Sequence, residues 1–228
     1  RGAIAALTLS ACSGAAEPTS SPSTSSGGGT TPASSPAAES YTIGIAQIVT
    51  HPALDAVAEG FKAAFAEAGV EVTFDEQNAQ GDQATLPNIA NTFASSDADG
   101  FLAIATPTAQ SLATVITDRP VVFAAVTDPV AAGLVASWES PDANLAGVSD
   151  LNPMKDQLEL IKEALPEAKT VGIVYSAGEV NSEVQVTEAE KAAAELGLEI
   201  KKATVTNSSE VQQAAASLDV DAFLIPTD

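Results

Sequence analysis

Hydroxyl, amide and carboxylate side chains recur just after the short apolar runs of this chain. Thr106 and Thr108 follow one such run, and Thr127 and Asp128 follow the next. At a helix start, hydroxyls and free backbone N–H groups donate hydrogen bonds to an anion, whereas a carboxylate binds an ammonium group. The combination suits a zwitterionic ligand. Each residue taken alone is an equally good helix N-cap, so that interpretation stays open.

The polar groups divide into two sets by the charge that they would bind. The candidates for the anionic end of a ligand are Thr106, Thr108 and Ser182. The candidates for the cationic end are Asp128, Asp150 and Asp228. The sole histidine, His51, also follows an apolar run, and we expect it to be a loop residue on the surface.

Residues that could catalyse a reaction are sparse. His51 has no nucleophile beside it, and neither a Gly-x-Ser-x-Gly elbow nor a phosphate-binding Gly-x4-Gly-Lys-Ser/Thr loop occurs. Residues 97–100, Asp-Ala-Asp-Gly, lack the later glycine and the closing glutamate of a calcium loop. We therefore predict a binding protein without catalytic residues, metal or cofactor.

The residues that precede the single cysteine indicate a specific role for its thiol. Residues 2–11 are small or apolar, and Leu9-Ser10-Ala11-Cys12 resembles the bacterial lipoprotein signal, in which Leu and two small residues precede a Cys. In that signal the thiol receives a diacylglyceryl group and the peptide is cleaved before it. We expect residues 1–12 to be a signal-peptide remnant with its lipobox, and Cys12 to anchor the protein on the extracytoplasmic face of the cell membrane.

The segment that follows predicts a tether. Residues 13–40 are mostly Ser, Thr, Gly, Pro and Ala, so they cannot bury enough apolar surface to offset the entropy of ordering. A flexible coil of this length separates its ends by roughly 30 Å. Such a tether suits a protein that docks against a membrane partner.

Charge and composition exclude one partner and favour one fold class. Lys and Arg number 9 against 30 Asp and Glu, and the resulting formal charge of −21 repels a phosphate backbone, so we expect no nucleic-acid partner. Hydrophobic residues make up 45% of the chain but aromatic ones only 4%. The core must therefore be built from Ala, Val, Ile and Leu, which favours layered α/β structure.

From Tyr41 onward, short β-branched runs alternate with Ala-rich amphipathic stretches, which predicts βαβ units and parallel sheets. Strands are predicted at residues 41–48, 70–76, 100–104, 121–125, 145–149, 170–175, 199–204 and 222–225. Helices are predicted at residues 54–68, 85–93, 108–116, 153–165, 184–196 and 209–218. The pattern resets near residue 149, so we expect two lobes, 41–149 and 150–228. In open parallel sheets, ligands bind beyond the carboxyl ends of the strands, where the polar residues stand.

The two halves also match each other in sequence. At an offset of 128, Ile43-Gly44-Ile45 corresponds to Val171-Gly172-Ile173, and at an offset of 122, Asp99-Gly100-Phe101 corresponds to Asp221-Ala222-Phe223. The match indicates an internal repeat. The alternative is the general likeness of any two βα units, under which two open α/β lobes still follow.

Longer motifs resemble the ABC-transporter substrate-binding proteins of the tryptophan/tyrosine type. They are QIVTHPALD at 47–55, QNAQGD at 77–82, IATPTAQ at 104–110, VVFAAVTDP at 121–129, GVSD at 147–150, GEVNS at 178–182 and PTD at 226–228. The resemblance covers essentially everything from Tyr41. It implies a two-lobed fold of the periplasmic-binding type, whose lobes close on an amino acid, usually an aromatic one, and deliver it to a membrane permease and ATPase.

By motif position, the resemblance implies a set of cleft residues that bind the ligand: Gln47, Thr106, Thr108, Thr127, Asp128, Asp150, Tyr175, Asn181, Ser182 and Asp228. Ser176 stands where the family commonly has Asn, so a side-chain amide is missing from that loop. The chain ends at Asp228, before the helix and strands that would complete such a second lobe, which we therefore expect to be incomplete.

Two other classes remain open from the residues alone. One is a surface-anchored enzyme on a doubly wound α/β fold, which would need a titratable base in the cleft. The other is a structural or adhesive lipoprotein, which would leave the polar strand-end residues without a role.

Overall fold

The computed structural model describes residues 40–140 and 144–227. Within them, eight strands alternate with six α-helices and two short 3-10 helices, and the strands form two parallel sheets. The predicted α/β class is therefore confirmed. The signal remnant, Cys12, Asp228 and the tether up to residue 39 lie outside the described residues, and Ser40 is the first residue of a strand. None of the described helices is both long and apolar enough to span a membrane.

The first sheet has five strands in the order β2-β1-β3-β4-β5. They are β1 (Ser40–Gln47), β2 (Glu71–Asn78), β3 (Gly100–Ile104), β4 (Val121–Ala124) and β5 (Leu145–Gly147). Helix α1 (Pro52–Ala68) covers the face that buries Ile45, Leu102 and Ile104. Helices α2 (Leu86–Ala94) and α3 (Thr106–Val115) cover the other face with Phe93 and Leu112. Alternate strand residues enter the two cores, as the period of a strand requires.

The second sheet has three strands in the order β7-β6-β8. They are β6 (Thr170–Ser176), β7 (Glu199–Val205) and β8 (Ala222–Phe223). Helices α4 (Met154–Ala164) and α5 (Val180–Leu196) share a core with this sheet, built around Leu158, Ile173 and Ala189. Helix α6 (Val211–Ser217) contacts β6 and β7 without burying any of its residues. Each sheet with its helices is called a lobe below, and the predicted boundary between residues 149 and 150 falls between β5 and α4.

The two lobes repeat one arrangement of glycine and phenylalanine. Gly44 of β1 lies opposite Phe101 of β3, and Gly172 of β6 lies opposite Phe223 of β8. A Cβ on Gly44 would lie 2.7 Å from the facing ring, and one on Gly172 would lie 2.6 Å away, so each ring fills the space that a side chain would need. The internal sequence match is therefore a structural repeat.

An aspartate ties down the start of β1 in the first lobe and the start of β6 in the second. Asp99 Oδ2 accepts a hydrogen bond from Thr42 N–H at 2.8 Å, and Asp221 Oδ2 accepts one from Thr170 N–H at 2.9 Å. The aspartate N–H groups donate back to the carbonyls of the same two threonines. The Asp-Ala-Asp-Gly run at residues 97–100 is thus part of a strand clasp.

Several predicted helix starts differ from the observed ones by two residues or more, and two of these differences move candidate residues from loops into helices. Helix α3 begins at Thr106 rather than at residue 108, and α5 begins at Val180 rather than at residue 184. The N-cap residues are Ala105 and Glu179, and neither makes a side-chain cap hydrogen bond. The sequence signal for a helix start is a capping Ser, Thr, Asp or Asn, and it is absent at both positions.

Candidate functional site

The carboxyl edge of the first sheet brings three predicted residues together. Gln47, the last residue of β1, lies beside Ile104, and Ile104 lies beside Ala124 of β4. Thr106 and Thr127 follow those strands within three residues. The exposed fractions of Gln47, Thr106 and Thr127 are 7%, 2% and 2%, so these polar residues are buried at the edge where ligands of open parallel sheets bind.

Two alanines at this edge have a strained backbone. Ala105 has φ 81° and ψ 153°, and Ala125 has φ 53°. They follow neighbouring strands, and Ala105 N–H donates a hydrogen bond to Ala124 O at 3.0 Å. Such conformations cost about 1–3 kcal/mol for a residue with a Cβ, and they concentrate at ligand-binding and catalytic sites. The strand-to-helix corner before α3 is therefore a second, independent indication of a site.

Thr106 and Thr108 lie in the first turn of α3 with hydroxyls that have no partner. Their exposed fractions are 2% and 0%, and within the described residues neither hydroxyl oxygen forms a hydrogen bond. The N-cap is Ala105, so neither threonine caps the helix. A buried polar group without a partner costs about 1–3 kcal/mol. Since a helix N-terminus also favours a negative charge, these hydroxyls are suited to an anionic ligand group.

The first turn of α5 supplies the corresponding group in the second lobe. Asn181 is 7% exposed, and its Nδ2 donates a hydrogen bond to Glu179 Oε2 at 3.3 Å. Because a carboxylate only accepts, this bond fixes which end of the amide is nitrogen. The other end, Oδ1, is buried and has no partner in the described part of the chain. Asn181 thus offers an acceptor, and the fully buried Ser182 follows it.

The loops after β4 and β5 are joined through Thr127 and Asp150. Thr127 Oγ1 donates to Asp150 Oδ1 at 3.2 Å, and Ser149 Oγ donates to the Thr127 carbonyl at 2.7 Å. Asp128 behaves differently, because its Oδ1 accepts from the N–H groups of Val130 and Ala131, both at 2.9 Å. The Asp128 carboxylate therefore caps the turn that follows it, whereas the Asp150 carboxylate is held in place by the Thr127 hydroxyl.

Gln47 and His51 stabilise the connection between β1 and α1. Gln47 Nε2 donates to Val49 O at 2.6 Å and to Asp55 Oδ1 at 2.7 Å, so the amide nitrogen is used within the β1–α1 connection. His51 is the exposed N-cap of α1, and its Nδ1 accepts from Ala53 N–H at 3.3 Å. The expectation of a surface loop histidine is confirmed, with helix capping as its role.

Tyr175 lies in the core of the second lobe. It is 7% exposed and packs among the apolar residues between β6 and α5. Burial raises the pKa of its hydroxyl, and the nearby negative charge of Glu183 on α5 raises that pKa further. The hydroxyl is therefore directed toward Glu183. Asp228, the last predicted ligand residue, lies outside the described residues.

Gln185 was not among the residues predicted from the sequence, and it ties Thr227, which follows β8, to α5. Its exposed fraction is 1%, its Nε2 donates to Thr227 Oγ1 at 2.8 Å, and its Oε1 accepts from Thr227 N–H at 3.1 Å. Nε2 also lies 3.2 Å from the Asn181 carbonyl. The spacing of four residues from Asn181, which places both on one helix face, is the signal that could have identified Gln185.

A groove runs between the first lobe's Asp128 and the start of α5. It has a volume of about 350 Å³ and is lined in part by Gly178, Glu179, Glu183 and Glu188. Gln83 of the first 3-10 helix (Gln83–Thr85) reaches across and donates to Glu179 Oε1 at 2.7 Å. The polar edges of the two lobes are thus connected, and this connecting region carries several carboxylates. No group of three or more His, Cys, Asp and Glu side chains in the described ranges could hold a metal ion.

Residues 42–228 match the family model described as ABC transporter substrate binding protein. The chain belongs to this family. The resemblance found in the sequence motifs is therefore confirmed. A substrate-binding protein of this family binds solutes and is not an enzyme, so the surface-enzyme alternative is excluded.

Two proteins similar to this substrate-binding protein are described by an amino acid that they bind. A curated tyrosine-binding protein of Clostridioides difficile is 41% identical over 192 residues, which are 82% of this chain and 56% of that protein. An ABC domain from Streptococcus pneumonia, solved in complex with L-Trp, is 37% identical with a TM-score of 0.80 and covers 83% of this chain. The chain spans 66% of that structure and thus less than two thirds of either relative's length.

A third relative was solved without ligand. It is the open structure of a Clostridium difficile substrate-binding protein with adhesive properties, 42% identical, matched over 82% of this chain and 66% of its own. Its TM-score is only 0.61, although its sequence identity exceeds that of the L-Trp complex. Our substrate-binding protein is thus more similar in overall arrangement to the ligand-bound relative than to the open one.

Proposed function

We propose that this protein captures an amino acid between its two lobes. The observation that carries the proposal is a set of three buried polar atoms that have no partner among the described residues: Thr106 Oγ1, Thr108 Oγ1 and Asn181 Oδ1, at the starts of helices in both lobes. Leaving each of them unpaired costs about 1–3 kcal/mol, a cost that a polar ligand removes. The two lobes offer different chemistry, and so a ligand with two different polar ends fits them best.

The chemistry of the two helix starts orients the ligand. At α3, two hydroxyls and the helix N-terminus favour a carboxylate. At α5, the helix N-terminus alone would also favour an anion, but the Asn181 side-chain oxygen Oδ1 and the neighbouring Glu179 carboxylate favour a cationic donor such as an ammonium group. Asp150, held at the edge of the first sheet by Thr127, is a second group that favours a cation.

An aromatic amino acid is the ligand class that we propose. Support comes from two relatives, one described as a tyrosine-binding protein and one solved with L-Trp, which are 41% and 37% identical to this chain. The test is a thermal-shift screen of the full-length protein against all twenty amino acids. We expect L-tryptophan or L-tyrosine to raise the melting temperature, because a ligand that binds only the folded state stabilises it. A screen in which no amino acid does so would refute the proposal.

We propose hinge closure of the lobes as the binding mechanism. The TM-scores of 0.80 to the L-Trp complex and 0.61 to the open relative support it, since both relatives cover nearly the same share of the chain. A change in lobe arrangement of this kind is a common response to ligand. Small-angle X-ray scattering should show a smaller radius of gyration with saturating ligand than without it. An unchanged radius would argue for a preformed site.

We further propose that the protein works outside the cell, anchored through Cys12 and tethered by residues 13–40, and delivers its ligand to a permease and ATPase. The lipobox-like residues before Cys12 and the composition of the tether support this arrangement. Replacing Cys12 with Ala should release the protein from the membrane fraction and leave ligand affinity unchanged. A variant that stays membrane-bound would refute the anchor.

A further inference from the structure

One carboxylate joins the first lobe to the buried amide of the second. Glu179 Oε1 accepts a hydrogen bond from Gln83 Nε2 at 2.7 Å, and Gln83 belongs to the segment that follows β2. Glu179 Oε2 accepts one from Asn181 Nδ2 at 3.3 Å. The two oxygens of one side chain therefore connect a residue across the lobe contact to the amide whose Oδ1 has no partner.

Helix capping does not account for Glu179. The residue is the N-cap of α5 with φ −117° and ψ 125°, yet its side chain makes no cap hydrogen bond. Glutamate is also not among the preferred N-cap residues, which are Asn, Asp, Ser, Thr and Gly. The carboxylate is instead directed at Gln83 and Asn181, so its placement requires another explanation.

We infer that Glu179 is a positioning residue for the ligand's ammonium group. The inference rests on the proposed function. By holding the Asn181 nitrogen, Glu179 leaves the Asn181 Oδ1 as the group that faces the ligand, and the neighbouring negative charge strengthens that oxygen as an acceptor. An amide turned the other way would present an N–H donor, which repels an ammonium group.

The contact with Gln83 couples this orientation to closure. Glu179 is fully engaged only when the two lobes are close enough for the 2.7 Å bond, so closure and the orientation of Asn181 stabilise each other. By linkage, a ligand that binds the oriented amide favours closure, and closure raises the affinity for that ligand. Gln83 thus contributes to affinity without touching the ligand.

Two variants and a matched control test the inference in the full-length protein. Glu179→Gln removes the carboxylate that fixes the Asn181 amide, and Gln83→Ala removes only the contact across the lobes. Glu190→Gln is the control, because it neutralises a carboxylate of the same helix that is paired with Lys202 and lies outside the groove. The titrants are L-tryptophan, L-tyrosine and 3-(indol-3-yl)propanoate, which lacks the ammonium group, and binding is measured by calorimetry.

The expected pattern separates orientation from closure. Glu179→Gln should weaken the binding of L-tryptophan and L-tyrosine about tenfold or more, the range of a hydrogen bond to a charged group, and should change the affinity for indolepropanoate much less. Gln83→Ala should weaken the binding of all titrants by a similar factor of about three to ten, since it removes the contact that favours closure while Glu179 still holds the Asn181 amide. Glu190→Gln should bind like the unaltered protein.

Each contrary result has a distinct meaning. If the unaltered protein binds neither amino acid, the proposed function itself is wrong. If the unaltered protein binds and Glu179→Gln binds equally well, or loses the same factor for indolepropanoate as for L-tryptophan, the positioning role is overturned while the function stands. Gln83 is exposed, so Gln83→Ala should fold even if Glu179→Gln folds poorly. An unchanged affinity of Gln83→Ala would overturn the coupling between lobe closure and the orientation of Asn181.

Discussion

At the scale of single residues, the polar groups of this chain separate into those that stabilise the fold and those that the fold leaves unpaired. His51 and Asp128 cap local structure, and Gln47 uses its amide nitrogen within its own loop. Thr106 and Thr108 do neither, although their residue type is a common cap. Residue type thus identifies candidates, and only the hydrogen bonds distinguish a cap from a ligand group.

Thr108 gives the sharpest prediction at this scale. Its hydroxyl is fully buried and unpaired, so Thr108→Val, which keeps the shape and removes the polar atom, should raise the free energy of unfolding of the unliganded protein by about 1 kcal/mol. The same change should weaken amino-acid binding about tenfold, because a donor to the ligand is lost. Urea denaturation without ligand and calorimetric titration measure the two effects.

A threonine on the same helix provides the control. Thr114 is exposed, and its hydroxyl donates to Gln110 O at 2.8 Å, so Thr114→Val should leave affinity unchanged. A Thr108→Val variant that is less stable than the unaltered protein and binds as tightly would show that the hydroxyl serves the fold rather than the ligand.

Much of the site could be predicted from the sequence, because strand ends are recognisable from apolar runs. Thr106, Thr108 and Thr127 closely follow predicted strand ends, Asn181 and Ser182 lie further along the segment after another strand, and all five are buried. Glu179 and Gln83 could not be found in this way. Their roles depend on how close the two lobes lie, and no local pattern encodes a contact between residues that are 96 positions apart in sequence.

At the scale of elements, the clasp at the start of β6 makes acid stability a measurable property of one aspartate. Asp221 Oδ2 accepts hydrogen bonds from Lys169 N–H, Thr170 N–H and Thr170 Oγ1 at 2.8, 2.9 and 2.9 Å. The bonds from the Lys169 and Thr170 backbone lower the pKa of this carboxyl below its ordinary value. A lowered folded-state pKa means that the carboxylate stabilises the fold above its unfolded pKa of about 3.9, and that this contribution is lost as the pH falls through the folded value.

The prediction concerns the pH dependence of Asp221→Asn. The variant should be less stable than the unaltered protein at pH 7, and the difference should shrink as the pH falls below about 4. Urea denaturation at pH 7 and pH 3 measures it. Asp219→Asn, which removes an equal charge two residues away and outside these bonds, is the control. A stability difference for Asp221→Asn that is the same at both pH values would contradict the clasp.

Element positions follow from the sequence better than element starts do. The hydrophobic alternation located the strands of the first sheet to within two residues, and β3 was predicted with its observed bounds. The starts of α3 and α5 were missed because Ala105 and Glu179 carry no capping signal. Those exceptions are physically informative, since the strained Ala105 and the carboxylate of Glu179 both belong to the candidate site.

Across the whole molecule, the two lobes repeat one glycine–phenylalanine pair, but the packing around the phenylalanine differs between them. Gly44 faces Phe101, which is 2% exposed and fixed in the core of the first lobe. Gly172 faces Phe223, which is 43% exposed and has room to move. The pair thus occupies equivalent register positions in both lobes, whereas the exposure of its ring differs.

This difference predicts that alanine at the two equivalent glycines lowers the free energy of unfolding by unequal amounts. Gly44→Ala should lower the free energy of unfolding by about 2–3 kcal/mol, because a buried ring must shift. Gly172→Ala should cost about 1 kcal/mol or less, because Phe223 can rotate into solvent. Denaturant unfolding of both variants tests this, and an equal cost or a reversed order would contradict the packing described here.

We propose that the two lobes bind the two charged ends of one amino acid, and calorimetry of three related compounds tests this binding mode. The compounds are L-tryptophan, tryptamine without the carboxylate, and 3-(indol-3-yl)propanoate without the ammonium group. We predict measurable binding of L-tryptophan and at least about tenfold weaker binding of each of the other two, since each leaves buried polar atoms of one lobe unpaired. Equal affinity for all three compounds would contradict the claim.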